Sequence, residues 1–332
     1  MNPRWMGSSS AQATASGSLI QPKRLLTRHH PACGRSTEVE RIHEPFVGEV
    51  CRRRRRPTTC RASPVLLLGD ASLCAHSGTA ACVLSQLTAR HPGLLVGAVM
   101  NTLVYILGNR ILLKGLALDG YVSSWVLGLL SFSAFGVYGY ALVCLYFILG
   151  SWATKIKMDV KVREGTAEAK GGRRGIGSVL GSGVAGMVCA GVALMQSDVP
   201  MELLQTGFVA SFCSKLSDTV SSEIGKGYGK TTYLATTFER VPRGTEGAVS
   251  LEGTLSGIGA SIFLGYCAVL VGMITLKGLL YVIVASFIAN YAESILGAVY
   301  QDRVAWLTND VVNIIQITCA SVVSMLLSFY FM

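Results

Sequence analysis

Charged side chains interrupt an otherwise apolar region of the chain between Ser211 and Gly259. The interruption begins with Lys215, Asp218 and Glu223. It continues through further basic and acidic residues, namely Lys226, Lys230, Glu239, Arg240, Arg243 and Glu246. Apolar segments long enough to cross a membrane stand on both sides, and charges at bilayer depth are costly and usually functional. The pattern therefore indicates a membrane protein that handles a charged molecule.

Four carboxylates are candidates for holding a divalent cation: Asp218, Glu223, Glu293 and Asp310. Their oxygens are the hard ligands that Mg²⁺ takes when it also binds phosphate. Asp218 and Glu223 lie about 140° apart around an ideal helix, so both reach one ion only if the helix ends near Ser222. The glycines that follow Ser222 predict such an end. Lys215, Asp218 and Glu223 are the predicted catalytic residues.

Two glycine-rich basic segments suit phosphate, because exposed backbone N–H groups and helix N-termini bind anions. One is GKGYGKT at 225–231 and the other is GGRRGIG at 171–177. The first is not a P-loop, because Ile224 stands where the G-x-x-x-x-G-K-[ST] motif needs glycine and no buried strand precedes it. The predicted phosphate- and nucleotide-binding residues are Lys155, Arg173, Arg174, Lys226, Lys230, Arg240 and Arg243.

Spanning helices are predicted from the apolar runs that follow residue 92, since about 20 residues cross a ~30 Å hydrocarbon core. The runs are 93–113, 121–150, 176–196, 200–222, 254–275, 278–298 and 310–331. The second run has Gly136 and Gly139 near its middle, so it is one tilted helix or two short ones. Only 14% of the residues are charged, against about 25% in soluble domains. The predicted fold is an all-α, multi-pass transmembrane bundle of about seven spanning helices.

Crossing parity places three connections on one side of the membrane: 151–175, 223–253 and 299–309. This side is called the charged face below, because the first two connections carry 11 of the 16 basic residues of 93–332. The general tendency of Lys and Arg to collect on one side also accounts for that bias, so a role in topology alone stays open for each of them.

Polar side chains inside three spans form stripes toward the charged face, at helical spacing. The stripes are Ser211, Lys215, Asp218 and Ser222; Asn290, Glu293 and Gly297; and Asn309, Asn313 and Gln316, with Asp310 beside the last. Because polar groups at bilayer depth must face protein or water, we expect a cleft lined with carboxylates and covered by basic loops. Ser222, Asn290, Asn309 and Asn313 are its predicted supporting residues. Interhelical hydrogen bonding without a ligand is the alternative.

The N-terminal tail differs in composition from the rest of the chain. Residues 1–62 hold twelve basic and four acidic side chains, which is +8 of the chain's net +10. They are rich in Ser, Thr, Ala and Arg, with no acidic residue before Glu38, which is typical of an organellar transit peptide. The run Arg52 to Arg56 also fits a nucleic-acid or nuclear-import patch, or a juxtamembrane cluster that binds anionic lipid. Residues 63–92 are interpreted as a linker or interfacial segment, and 93–332 as the membrane domain.

Long motifs in the membrane domain resemble a known family. They are SKLSDTVSSEIGK at 214–226, VPRGTEGAVSLEGT at 241–254, GSWATK at 150–155, KGGRRG at 170–175, AESILG at 292–297 and NDVVN at 309–313. In this order they resemble the membrane family that includes transmembrane protein 19, and most closely its chloroplast branch, the phytyl-phosphate kinases of tocopherol synthesis. One departure is Ser182, where many members outside plants have asparagine.

The resemblance implies a multi-pass kinase of a chloroplast membrane, expected in the envelope, with residues 1–62 as its transit peptide. It would convert phytyl phosphate to phytyl diphosphate with a nucleoside triphosphate, and the related polyprenol and phytol kinases favour CTP. Mg²⁺ is the expected cofactor. The bilayer and a prenyl phosphate are the expected partners, and no nucleic acid is expected. The product would carry salvaged phytol into tocopherol synthesis.

The chemistry of the expected acceptor agrees with the residues present. A phosphate monoester has a second pKa of about 6 and is already a nucleophilic dianion, so no general base is needed, and the charged loops contain no histidine. Two alternatives stay open. One is a kinase acting on a free prenyl alcohol, with Asp218 as its base, and the other is a transporter of an ion or small anionic solute.

Overall fold

The computed structural model describes residues 92–167, 173–195, 197–301 and 303–331. The predicted transit peptide and nearly all of the predicted linker lie outside these ranges, so both stay predictions. The helices of the described part are α1 (Pro92–Gly115), α2 (Leu118–Lys155), α3 (Met158–Arg163), α4 (Ile176–Leu194), α5 (Met201–Tyr228), α6 (Leu251–Leu270), α7 (Leu276–Leu296) and α8 (Asn309–Tyr330).

The prediction of an all-α membrane bundle is confirmed. Within the described residues, six helices are long and apolar enough to cross a membrane, namely α1, α2, α4, α6, α7 and α8. The seventh is α5, whose charged side chains lower its hydropathy but which lies at the centre of the bundle. It packs against α2, α4, α6, α7 and α8, and every residue from Thr206 to Ser217 is buried. The helix with the most polar stripe is therefore the one most enclosed by protein.

α2 folds back on itself at Gly136, where φ is 65° and ψ is −158°. Only glycine adopts such a conformation readily. Gly120 and Gly150 both approach Arg174, although in a straight helix they would stand about 45 Å apart at 1.5 Å per residue. The predicted run 121–150 is thus the second of its two alternatives, a pair of short arms, 118–135 and 137–155. Both open ends of this helical hairpin lie at the charged face.

Small residues let α5 and α6 pack closely. Gly253 and Gly257 on α6 face Ser217, Ser221 and Gly225 on α5, and a Cβ at Gly253 would meet the Ser221 carbonyl at 2.5 Å. This small-xxx-small contact is common between membrane helices. It also explains why the helix end predicted near Ser222 is wrong. α5 continues through its glycines to Tyr228, because tertiary packing outweighs the low helix propensity of glycine.

A short β-hairpin follows α5 at the charged face and was not predicted. β1 (Thr232–Leu234) pairs antiparallel with β2 (Ala248–Ser250), with Thr232 opposite Ser250. Gly247 has a φ of 71° and packs against Ser294 and Ala298 at the end of α7. The residue before β2 is therefore packed against the end of α7. A π-helical turn, Gly297–Gln301, continues the chain from there.

Candidate active site

Lys215 is the centre of a buried polar cluster on α5. Its Nζ donates hydrogen bonds to Asp218 Oδ2 at 2.5 Å and to Asn313 Oδ1 on α8 at 2.8 Å. The residue is only 7% exposed, so its charge depends on these partners for stabilisation. An ammonium group has three N–H donors, and the third meets no acceptor among the residues that the structure describes. That donor is available to a ligand.

Glu293 brings α7 to the same cluster. Its carboxylate lies within electrostatic reach of both Lys215 and Asp218. The polar stripes predicted on three separate helices therefore converge at one place near the charged face, with one lysine, two carboxylates and the amide of Asn313. This convergence agrees with the predicted cleft.

Arg174 and Tyr146 extend the cluster toward α2. Arg174 Nη1 donates to the Tyr146 hydroxyl at 2.5 Å, and the Tyr146 ring packs on Phe212 of α5 with centroids 5.5 Å apart. Tyr146 also lies within electrostatic reach of Lys215. Arg174 was predicted as a phosphate ligand. Tyr146 was missed, because a tyrosine inside an apolar run gives no signal of its own.

Glu223 has a different neighbour from the one predicted. Its Oε2 accepts a hydrogen bond from Lys161 Nζ, and both side chains are 1% exposed. Lys161 also donates to the Thr154 carbonyl at 2.6 Å. The expectation that Asp218 and Glu223 share one ion depended on a helix end near Ser222. Because α5 continues to Tyr228, that expectation is wrong. Glu223 instead joins α5 to α3, and Lys161 was not among the residues predicted for the site.

The predicted set of four carboxylates does not form one metal site. Among the described residues, no three His, Cys, Asp or Glu side chains are grouped to hold an ion. Asp310 packs against Gly177 in the first turn of α4. Glu223 is paired with Lys161. Asp218 and Glu293 remain together, and Mg²⁺ commonly uses one or two carboxylates along with substrate phosphates. This reduced pair fits the cofactor that was expected.

Part of the predicted polar lining holds helices together. Asn290 Nδ2 donates to Ser217 Oγ at 2.9 Å, and Asn290 Oδ1 accepts from Gln316 Nε2 at 2.5 Å. These bonds join α7 to α5 and α8, as the interhelical alternative anticipated. Ser222 is exposed and donates to the Thr219 carbonyl at 3.1 Å. Asn309 is exposed in the first turn of α8.

The predicted basic residues differ in their surroundings. Arg173 donates to the Leu116 carbonyl at 3.3 Å, and Arg243 forms a 2.9 Å ion pair with Glu164. The other predicted basic ligands lie in or beside the connections of the charged face: Lys155, Lys226, Lys230 and Arg240. Of the seven, Arg174 is the one that contacts the Tyr146 end of the cluster.

The N-terminus of α4 is already in contact with an anionic side chain. Asp119 Oδ2 accepts a hydrogen bond from the Ile176 N–H at 2.9 Å, and Arg174 pairs its backbone with Gly115 and Ala117. The segment predicted to cradle substrate phosphate therefore anchors α4 to the start of α2. What it presents to the cluster is the Arg174 side chain.

The fold and the cluster define a multi-pass membrane protein with a buried charged site at one face. The chain belongs to the integral membrane protein family DUF92, which matches residues 101–321. It is 51% identical over 231 residues to the chloroplastic protein VTE6 of Arabidopsis thaliana, which covers 68% of this chain and 69% of that protein. This similarity confirms the resemblance to the chloroplast branch.

Two further relatives extend the comparison. An uncharacterized membrane protein of Synechocystis is 44% identical over 220 residues, 66% of this chain and 85% of its own length. Protein PGR of Arabidopsis thaliana is 29% identical over 211 residues, 57% of this chain and 73% of its own length. No solved structure matches the chain.

Proposed function

We propose that this protein is a chloroplast membrane kinase that phosphorylates phytyl phosphate to phytyl diphosphate with a nucleoside triphosphate, CTP being the preferred donor. The observation that carries the proposal is the Lys215 ammonium, buried in the bundle with one donor left for a ligand. Similarity to the chloroplastic relative supports the compartment, with the envelope as the expected membrane. The product would take salvaged phytol into tocopherol synthesis.

The reaction needs positioning and positive charge more than acid–base chemistry. A non-bridging oxygen of phytyl phosphate attacks the γ-phosphorus of the nucleotide. The bond from that phosphorus to the β,γ-bridging oxygen breaks, and the nucleoside diphosphate leaves with the electron pair. Because the attacking phosphate is largely dianionic at neutral pH, no residue has to remove a proton from it. The site must instead reduce the repulsion between two anions.

The residues of the cluster divide this task. Lys215 has a donor free for a phosphoryl oxygen, and Asp218 and Asn313 hold its ammonium in one place. Arg174, held by the Tyr146 hydroxyl, adds a second cation on the side of α2. Charge-assisted hydrogen bonds of this kind are about twice as strong as neutral ones. Burial makes them more effective, because fewer water dipoles screen them.

Magnesium fits the arrangement through Asp218 and Glu293, which are the residues that would hold it. The ion would supply charge neutralisation and orientation for the nucleotide phosphates. Lys215 is hydrogen-bonded to Asp218 and lies within electrostatic reach of Glu293, so its ammonium offsets part of their charge before a ligand enters. Groups that can hold a cation, Asp218 and Glu293, thus lie beside groups that can hold phosphate, Lys215 and Arg174. This combination favours a kinase site over a cluster that only joins helices by hydrogen bonds.

The test is an assay of membranes that contain the protein. They are incubated with phytyl phosphate, Mg²⁺ and each nucleoside triphosphate in turn, and phytyl diphosphate is measured. Formation of the diphosphate, greatest with CTP, is the expected result. Product from free phytol instead would favour the alcohol kinase. Uptake of a labelled anion into sealed vesicles, with no phosphorylated product, would favour the transporter.

A further inference from the structure

A cavity of about 270 Å³ lies between α1, the two arms of α2 and the start of α4. Its wall is mostly apolar, with Val104, Leu112 and Val143 among the lining side chains. Polar groups in the wall are engaged with one another. Tyr140 donates to Asn101, and Tyr105 donates to Ser124 at 2.7 Å. The interior therefore offers an apolar ligand a surface that costs little to desolvate.

The cavity opens sideways toward the region that lipid would occupy. Ile111 on α1 and Ile148 on the second arm of α2 both line it, yet they are 70% and 59% exposed. α1 packs chiefly against α2, so the gap beside it is covered by little other protein. Along α1 the lining runs from Asn101 to Leu112, about 16 Å at 1.5 Å per residue, which is about half of the hydrocarbon core.

The end of the cavity at the charged face carries a cation. Arg174 and Tyr146 are both lining residues, and they are hydrogen-bonded to each other. Behind Tyr146 lies Phe212 of α5, three residues before Lys215. The cavity is mostly apolar, opens toward lipid at its side and ends at Arg174, next to the cluster around Lys215. This arrangement matches an amphiphile with an anionic head group.

We infer that this cavity is the binding site for the prenyl chain of the substrate, with the phosphate directed past Arg174 toward Lys215. The inference rests on the proposed function for the identity of the head group. The cavity takes the part of the chain nearest the phosphate, and the remainder leaves through the opening between Ile111 and Ile148 into the bilayer. The wall around Gly108 and Val143 thus selects for the width and branching of the part of the chain nearest the head group.

Filling the cavity tests this assignment by kinetics. Gly108 lines the cavity, and a Cβ there meets only Leu112 at 3.7 Å, so Gly108→Leu places its added methyl groups in the space reserved for the prenyl chain. We expect the KM for twenty-carbon phytyl phosphate to rise at least about tenfold, the effect of excluding a methylene or more from an apolar site. The KM for the nucleotide should not change. Ten-carbon geranyl phosphate, whose chain would occupy the same space next to the phosphate, should show a similar rise.

Gly259→Leu is the matched control. Gly259 is also a helical glycine, nothing lies within 4 Å of a Cβ at that position, and it does not line the cavity. Equal rises in KM for Gly108→Leu and Gly259→Leu, or no rise in either, would overturn the assignment. A normal unfolding temperature of both variants in nanodiscs shows that each bundle is intact.

Photolabelling supplies a readout that does not depend on catalysis. A prenyl phosphate with a diazirine on its chain should label peptides from 101–116 and 137–150, and phytyl phosphate should compete. Labelling there with no kinase activity would remove the proposed reaction and keep the binding site. Activity with labelling elsewhere would remove the binding site and keep the reaction. Labelling by a diazirine phospholipid that phytyl phosphate does not displace would assign the cavity to bilayer lipid and overturn the inference.

Discussion

Lys161 on α3 and Glu223 on α5 form an ion pair whose two side chains are each 1% exposed. The pair lies beside the Thr154 carbonyl at the end of α2, so one lysine ties together three elements of the charged face. A buried pair of this kind is costly to break, because either partner left alone is a desolvated charge. Substitutions at Glu223 should therefore lower the stability of the fold instead of removing a catalytic group.

We expect Lys161→Met and Glu223→Gln each to destabilise the protein by about 3–5 kcal/mol. The double variant Lys161→Met/Glu223→Leu should recover much of this loss and keep activity, because neither charge is then left unpaired. Thermal unfolding in detergent, with Lys114→Met as an exposed control, measures the effect. A double variant that is stable but inactive would return Glu223 to the catalytic set that the sequence predicted.

Substitutions at the centre of the cluster should strongly lower turnover, and Asp218→Asn should also destabilise the fold, because it removes an anionic partner of the buried Lys215 ammonium. Lys215→Met is expected to lower kcat by about 100- to 1000-fold, as the loss of one preorganised donor to a developing anion does. Asp218→Asn should abolish product formation, because it loses both the anchor of Lys215 and a candidate Mg²⁺ ligand. Asp159→Asn, an exposed aspartate on α3, is the control. Near-normal kcat in both cluster variants, with normal membrane insertion, would remove them from the site.

Two of the four arginines predicted as phosphate ligands, Arg174 and Arg243, should differ in how strongly their loss raises the KM for phytyl phosphate. Arg174→Gln is expected to raise the KM for phytyl phosphate by about 10- to 100-fold, the value of one charge-assisted contact of roughly 1.5–3 kcal/mol. Arg243 is paired with Glu164 and about one-third exposed. Arg243→Gln should change KM by less than about fivefold, because its guanidinium is engaged by Glu164 and an exposed ion pair contributes about 0–1 kcal/mol. Steady-state kinetics on matched amounts of inserted protein decides, and equal effects would refute the distinction.

The tail can be tested by truncation and import. A chain that begins near Ser63 should insert in a heterologous membrane and keep kinase activity, because the spanning helices begin after residue 92. Isolated chloroplasts should import and shorten the full-length chain, as its composition predicts. Recovery of the Arg52 to Arg56 peptide from the mature chloroplast protein, together with reduced activity on truncation, would favour the segment that binds anionic lipid.

Much of the fold follows from local sequence, because each spanning helix satisfies its own backbone hydrogen bonds. The cluster was also predictable in part. Lys215 and Asp218 are polar at helical spacing inside an apolar run, and Asn313 has the same pattern on α8. The contact between the α5 and α8 stripes is expected, because polar stripes at bilayer depth must face protein or water.

The remaining features depend on contacts that one sequence does not encode locally. The pairing of Lys161 with Glu223 joins positions 62 residues apart, whereas the sequence predicts Glu223 as a catalytic residue and metal ligand. The end of α5 was misplaced, because Gly225 packs beside Ser250 and Gly253 and this packing keeps the helix going. Tyr146 joins the site through its hydrogen bond from Arg174 and its position within electrostatic reach of Lys215.

The most direct test of the central claim uses purified protein in lipid nanodiscs. It is given phytyl phosphate, Mg²⁺ and CTP labelled at the γ-phosphorus. The account predicts label in the terminal phosphate of phytyl diphosphate, one CDP for each product molecule, and loss of both in Lys215→Met. Protein that is folded and inserted, yet forms no labelled phytyl diphosphate from any nucleoside triphosphate, would contradict it.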